Sequence, residues 1–211
     1  MSEIRALIGD SGYEYKELAD DVYILYNFLT EEERGTYHRF ATDANEVDWT
    51  VSYLKALEDQ AVDKYNRTDI ATLIEEGLLH VNPSWIDKAL RTEPLSPMPE
   101  QIAARAQMLI PQDKYSVNEF DVIQRHYFGT KLTEHIDSEH DSNLKYAAVA
   151  YLNDDYEGGE LYFPRFELKI KPPAKSLVIF SADYLHGVSN VNEGPTRYVA
   201  PVFIFNKKQN D

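Results

Sequence analysis

Beyond residue 117 the side chains of this 211-residue chain alternate with a period of two, and nothing else in the sequence restricts its fold as tightly. In "NEFDVIQRHYF", Phe120, Val122, Gln124, His126 and Phe128 share one face of an extended segment, with Asp121, Ile123, Arg125 and Tyr127 on the other. Strand-like runs follow in "LKYAAVAYL", "GELYFPRFELKI", "SLVIFSA" and "TRYVAPVFIF", separated by "NDDYEGG", "KPPAK" and "NVNEGP", which are rich in turn formers. Short strands punctuated this way, with no helical pattern between them, predict an antiparallel barrel or sandwich rather than βαβ units.

The first half reads differently. "DVYILYNFLTEEERGTYHRF" predicts a short strand at Val22 to Tyr26 and then a helix capped by Thr30, with Glu31 to Glu33 at the positive end of its dipole. Helical spacings recur in "DIATLIEEGLLHV", "PSWIDKALRT" and "MPEQIAARAQML", with Asn82 as an N-cap and Pro83 at the first helical position. A chain of this length builds one sizeable core. The expected class is therefore mainly β with flanking helices (α+β), as one continuous domain. An N-terminal α/β portion, 1–115, packs on a β core at 116–211; the strand near Val22 extends a sheet and the helices cover its other face.

Charge narrows the function classes. The formal net charge is 21 − 36 = −15, which repels a phosphate backbone, so no nucleic-acid partner is expected. The absence of cysteine excludes disulfides, thiolate metal sites and cysteine nucleophiles. No apolar run approaches the roughly 20 residues needed to span a bilayer, and the start lacks a basic region followed by an apolar core; a cytoplasmic protein without a membrane partner is the expectation.

Against that background "TEHIDSEHD", residues 133–141, concentrates two histidines and four carboxylates in nine positions. In an extended "HID" the side chains of His135 and Asp137 project to one face and can reach one metal ion. His186, after the apolar run "SLVIF", supplies a third donor if a barrel brings it alongside. Two imidazoles and one carboxylate leave three positions open, the donor set of non-haem Fe(II) oxygenases. A chelating 2-oxo acid fills two of these and presents a distant carboxylate that needs a cation. Arg197, at the start of "RYVAPVFIF", offers a guanidinium that pairs with a carboxylate in bidentate fashion.

With these residues in place, Phe120 to Phe205 resembles the double-stranded β-helix (jelly roll) of Fe(II)- and 2-oxoglutarate-dependent dioxygenases, in particular the prolyl 4-hydroxylase-like branch. The matching elements, in the family's order, are "HID", "YLNDDYEGGELYFP", "PPAKSLVIFSADYLHGV" and "GPTRY". The resemblance implies that His135, Asp137 and His186 bind Fe(II) as the catalytic centre, and that Arg197 holds the 5-carboxylate of 2-oxoglutarate. It further implies hydroxylation of a C–H bond with O2 as second co-substrate and decarboxylation to succinate, with ascorbate as a further cofactor. A peptidyl substrate is the leading expectation; a free amino acid or small metabolite, or a cupin-like binding module without catalysis, are the alternatives.

Two positions depart from the family's pattern. Arg197 lies one residue further from His186 than the usual basic residue, with Pro195 enlarging the turn. Where the family commonly places a tyrosine that assists the same carboxylate, this chain has His126, followed by Tyr127. Strand parity gives them opposite faces, and a one-residue bulge would exchange them, so both are candidates for the co-substrate site. His38 and His80 fall in helical patterns and read as structural. Glu139 and His140 read as part of a solvated loop, and Gly158 and Gly159 as turn glycines with positive φ.

Overall fold

The computed structural model describes residues 3–45, 50–51, 61–79, 88–91, 102–117, 123–139 and 141–207. Asn82, Pro83, His80 and His140 lie outside the described residues. The helices are α1 (Glu3–Asp10), α2 (Glu31–Thr42), α3 (Ile70–Glu75) and α4 (Ile102–Gln107). The strands of the first half are β1 (Tyr15–Ala19), β2 (Val22–Leu25), β3 (Thr50–Val51), β4 (Lys88–Arg91) and β5 (Tyr115–Val117). Those of the second half are β6 (Ile123–His126), β7 (Leu132–His135), β8 (Leu144–Tyr151), β9 (Leu161–Phe163), β10 (Leu168–Ile170), β11 (Leu177–Ser181), β12 (His186–Val188) and β13 (Arg197–Asn206). Among the described residues, no helix is long and apolar enough to cross a membrane.

Two antiparallel sheets carry the core. The larger runs β1-β2-β11-β8-β13-β6-β4-β3, with β5 also on β13; the smaller runs β10-β9-β12-β7. Their facing sides meet in one apolar cluster: Val22, Ala147, Val178, Phe180 and Val199 from the large sheet, Leu132, Leu161, Phe163 and Val188 from the small one. This is the jelly-roll core that the turn-punctuated strands predict.

The other side of the large sheet packs on helices. Ile4 and Ile8 of α1, Tyr37 and Ala41 of α2, and Ile102 and Ala106 of α4 cluster with Tyr23, Ile179, Ala200, Val202 and Ile204. Covering on both faces explains why "SLVIF" and "YAAVAY" are continuously apolar: Val178 and Phe180 point into the barrel, while Ile179 lies under the helices. Each such side chain contributes about 1.5–3 kcal/mol by leaving water.

The first helix signal holds in detail. The Thr30 side chain accepts from Glu33 N, and the Glu33 carboxylate accepts in return from Thr30 N at 2.7 Å, a capping box. Glu33 also pairs with Arg105, tying α2 to α4. One segment differs from expectation. In "PSWIDKALRT", expected to be helical, Lys88–Arg91 is strand β4, antiparallel to β6 with Lys88 opposite His126. The open edge of β6 offers backbone partners that outweigh a helical spacing of so few residues.

Candidate metal and co-substrate site

Strand register brings the candidate ligands together. On the small sheet His186 stands opposite His135, and Val188 opposite Leu132. Two steps along β12 therefore match three along β7, a bulge that lets both Leu132 and His135 face the barrel. β7 ends at His135, and Asp137 opens a 3-10 turn (Asp137–Glu139) whose Ser138 N donates to Ala182 O at 3.1 Å. The extended "HID" expected from the sequence is thus replaced by a strand end and a turn, which still bring Asp137 to the two imidazoles.

The resulting cluster is tight: one ligand atom from each of His135, Asp137 and His186 lies within 4.8 Å of the others. His135 Nε2 is 3.3 Å from one Asp137 oxygen, and His186 Nε2 is 3.7 Å from the other. Each imidazole is oriented by a backbone carbonyl: His135 Nδ1 is 2.7 Å from Thr133 O, and His186 Nδ1 2.9 Å from Tyr184 O. A carbonyl only accepts, so both Nδ1 atoms carry the proton and both Nε2 lone pairs face the carboxylate. Lone pairs from two nitrogens and an oxygen that converge in this way fit a divalent cation, and carbonyl-held imidazoles are the usual second layer of such a centre. Phe180 and Phe163 pack on the His186 ring at 4.7 and 5.9 Å.

Deeper in the barrel, on the large sheet, Arg197 stands opposite His126. Arg197 is 2% exposed. Its Nη1 donates to His126 Nδ1 at 3.1 Å, its Nη2 lies 3.4 Å from the Tyr151 hydroxyl, and its Nε has no hydrogen-bond partner. Tyr151 and Tyr156 flank the guanidinium, with ring centres 5.2 and 5.8 Å from Cζ. No carboxylate among the described residues pairs with this cation. A buried, unpaired guanidinium is costly, and an anionic ligand with two oxygens is what removes that cost. The residues present therefore fit a co-substrate carboxylate as well as a metal.

The bond to Arg197 makes His126 an acceptor at Nδ1, hence neutral with its proton on Nε2. Of the two residues that strand parity left open, His126 is the one that contacts Arg197. Tyr127 is half-buried and carries the Arg125 guanidinium over its ring at 4.7 Å, away from Arg197. Burial pushes the Tyr151 phenol up to about 12, with the Arg197 charge working the other way, so its hydroxyl stays protonated at neutral pH.

Tyr151 and Tyr156 escaped the sequence reading. The available signal was parity: Ala147, Val149 and Tyr151 form one interior stripe of β8 that ends in a hydroxyl. The two turn glycines do take positive φ, 67° at Gly158 and 63° at Gly159. Gly159 also lets the turn press on the site, since a methyl group there would come within 3.0 Å of Arg197 Cδ. An open groove of about 860 Å³ on the outer face of the small sheet, lined by Lys131, Glu134, Tyr162, Pro164, Leu168 and Lys169 among others, includes none of the site residues.

Comparison with known proteins follows the same outline. Residues 122–205 match the family model of the 2OG-Fe(II) oxygenase superfamily. No curated protein sequence matches the chain. Among solved structures, a Trichoplax adhaerens prolyl hydroxylase in complex with a hypoxia inducible factor peptide fragment superposes with a TM-score of 0.62 at 14% identity, covering 89% of this chain and 84% of that one. A Pseudomonas putida prolyl-4-hydroxylase gives 0.56 at 16% identity, covering 97% and 100%. A viral collagen prolyl hydroxylase from Paramecium Bursaria Chlorella virus-1 gives 0.52 at 18% identity, covering 90% and 98%. At these identities the likeness is one of fold. Residues 122–205 match the 2OG-Fe(II) oxygenase superfamily, and the chain that carries them has the fold of the prolyl hydroxylases.

Proposed function

We propose that this chain hydroxylates a C–H bond of a peptidyl substrate, with Fe(II) held by His135, Asp137 and His186 and the distal carboxylate of 2-oxoglutarate held by Arg197. The observation that carries the reading is the buried guanidinium without a carboxylate partner, inside the barrel whose rim bears the three converging donors. When bound, iron and 2-oxoglutarate supply the activation of O2, coupled to release of succinate and CO2 and transfer of one oxygen to the substrate carbon.

The chain's own residues prepare that chemistry. The Thr133 and Tyr184 carbonyls fix the tautomer and direction of the two imidazoles before any metal arrives. His126 and Tyr151 hold the guanidinium plane, and Arg197 sets the depth at which a 2-oxo acid is anchored. Phe163, Phe180 and Val199 line the interior and exclude water from it. The peptidyl substrate is favoured by the fold shared with a prolyl hydroxylase solved with a peptide. Ascorbate, where it acts, would serve the same iron.

The test is an incubation with Fe(II), 2-oxoglutarate and O2, measuring succinate and the masses of proline-containing peptides. One added oxygen per succinate on a peptide supports the reading. Added oxygen on a free amino acid or metabolite alone would replace the peptidyl substrate, and absence of any 2-oxoglutarate-dependent succinate would favour a cupin-like binding module.

A further inference from the structure

We propose that Asn153 is a positioning residue for Arg197, its side-chain amide fixing the backbone on both sides of the buried guanidinium; the inference rests on the oxygenase reading above. Asn153 lies two residues beyond the last pair of the β8–β13 ladder, Tyr151 opposite Val199. One step past that pair the chains still touch, since Leu152 N donates to Tyr198 O at 3.1 Å. In a regular antiparallel pair the bond is returned, from Tyr198 N to Leu152 O. Here Leu152 O accepts instead from Arg34 Nη1 of α2 at 3.3 Å, and Tyr198 N donates to Asn153 Oδ1 at 2.8 Å. A side chain takes the place of the strand.

The same amide closes the other side. Asn153 Nδ2 donates to Thr196 O at 2.8 Å and to Asp155 Oδ1 at 2.7 Å. Thr196 and Tyr198 flank Arg197, so one side chain grips the backbone immediately before and immediately after it. Asn153 is 6% exposed, and both of its polar atoms are bonded. A buried amide satisfied in this way has one orientation, because turning it over would set donor against donor. Gripping a carbonyl and an N–H at once takes a donor and an acceptor on one short side chain, which aspartate and leucine do not offer.

Arg197 needs such a grip because it is the first residue of β13, where a strand is least constrained. Its partner on the β6 side is His126, while on the β8 side the ladder has already ended at Val199. A binding group works only if its own supports hold it to within about 0.5 Å. Asn153 supplies that support from the backbone, and α2 braces the same two chain ends: Arg34 holds Leu152, and the His38 ring meets the Tyr198 ring edge-on at 5.4 Å.

Asn153→Ala removes all three bonds without touching the guanidinium. Calorimetric titration under argon of the Fe(II)-loaded protein would give the Kd for 2-oxoglutarate and for oxalate, which chelates the metal but has no distal carboxylate to reach Arg197. The expected result is a Kd for 2-oxoglutarate about tenfold higher, about 1.4 kcal/mol, with the oxalate Kd unchanged. In the Arg197→Met background the same substitution should bring no further rise, because residues that act as one unit do not add. A merely structural amide would lower the melting temperature and leave the 2-oxoglutarate Kd alone, raise both Kd values alike, or add its full effect to Arg197→Met; any of these overturns the assignment. Should the alanine variant not fold, Asn153→Ser gives the same comparison, since one hydroxyl cannot reach both flanking peptides. If the native protein itself binds no 2-oxoglutarate, the oxygenase reading falls and this inference with it.

Discussion

The rim of the barrel and its interior each hold a cluster of polar groups in fixed orientation, by different means. At the rim, His135 and His186 are each aimed by a backbone carbonyl, and Asp137 by a turn bonded to the end of β11. In the interior, Arg197 is held by side chains: His126, Tyr151, Tyr156 and the gap left by Gly159. Backbone support survives substitutions of neighbouring side chains. A side-chain network does not, because changes among residues in contact couple to one another.

The largest expected effect is at the rim. His186→Ala or Asp137→Ala removes a ligand outright, and turnover measured as succinate release should fall at least about 100-fold, since even indirect disturbance of a metal site costs 10–100-fold. Melting temperature should move little, because the apolar core forms without the ligands. A variant that kept turnover would remove the rim from the mechanism.

The interior should respond in a graded way. Arg197→Ala is expected to raise the Kd for 2-oxoglutarate by about 100-fold, and Arg197→Lys by less, because lysine keeps the charge but not the fork. Arg197→Met should bind no better than Arg197→Ala, yet be more stable than the native chain in denaturant by about 1 kcal/mol or more, since it removes a buried unpaired charge. A less stable Arg197→Met would show that the cation is already compensated within the fold.

A third measurement asks whether both regions share one cooperative unit, as we propose for the N-terminal portion and the barrel. Ile179 lies in the large sheet under the helices, so Ile179→Ala should cost about 2–4 kcal/mol and lower a single thermal transition. Two separate transitions, only one of them shifted, would divide the chain at that face.

The smallest effect is alkaline. The Tyr151 phenol rises from an ordinary value of 10.0 to about 12 in the fold. A group raised in the folded state stabilises fully below its unfolded value, and that stability is lost as pH climbs toward the folded value. The urea midpoint should therefore fall between about pH 10 and 12, and Tyr151→Phe should flatten part of that slope. An unchanged slope would mean that the phenol is not buried against Arg197.

Much of this was legible in one dimension. Turn-rich breaks between apolar runs announced the antiparallel strands, and "TEEER" after Thr30 announced the capping box, because both depend on residues close in sequence. His135, Asp137, His186 and Arg197 stood out by residue type, order and spacing. The rest was not readable, for reasons that can be named. Asp137 sits on a 3-10 turn, and the bulge between β7 and β12 depends on a strand some 50 residues away. Lys88–Arg91 became a strand because the edge of β6 was open to it.

The chain by itself determined which side chains are candidates for a metal and a carboxylate and that short antiparallel strands would present them, since residue type and local period are properties of neighbours along the backbone. Only the tertiary structure decided that His126 rather than Tyr127 meets Arg197, that Tyr151 and Tyr156 close around the cation, and that no carboxylate of the described chain reaches it. Those outcomes hang on register, bulges and burial, which arise when strands distant in sequence pair and one face of each is turned away from water.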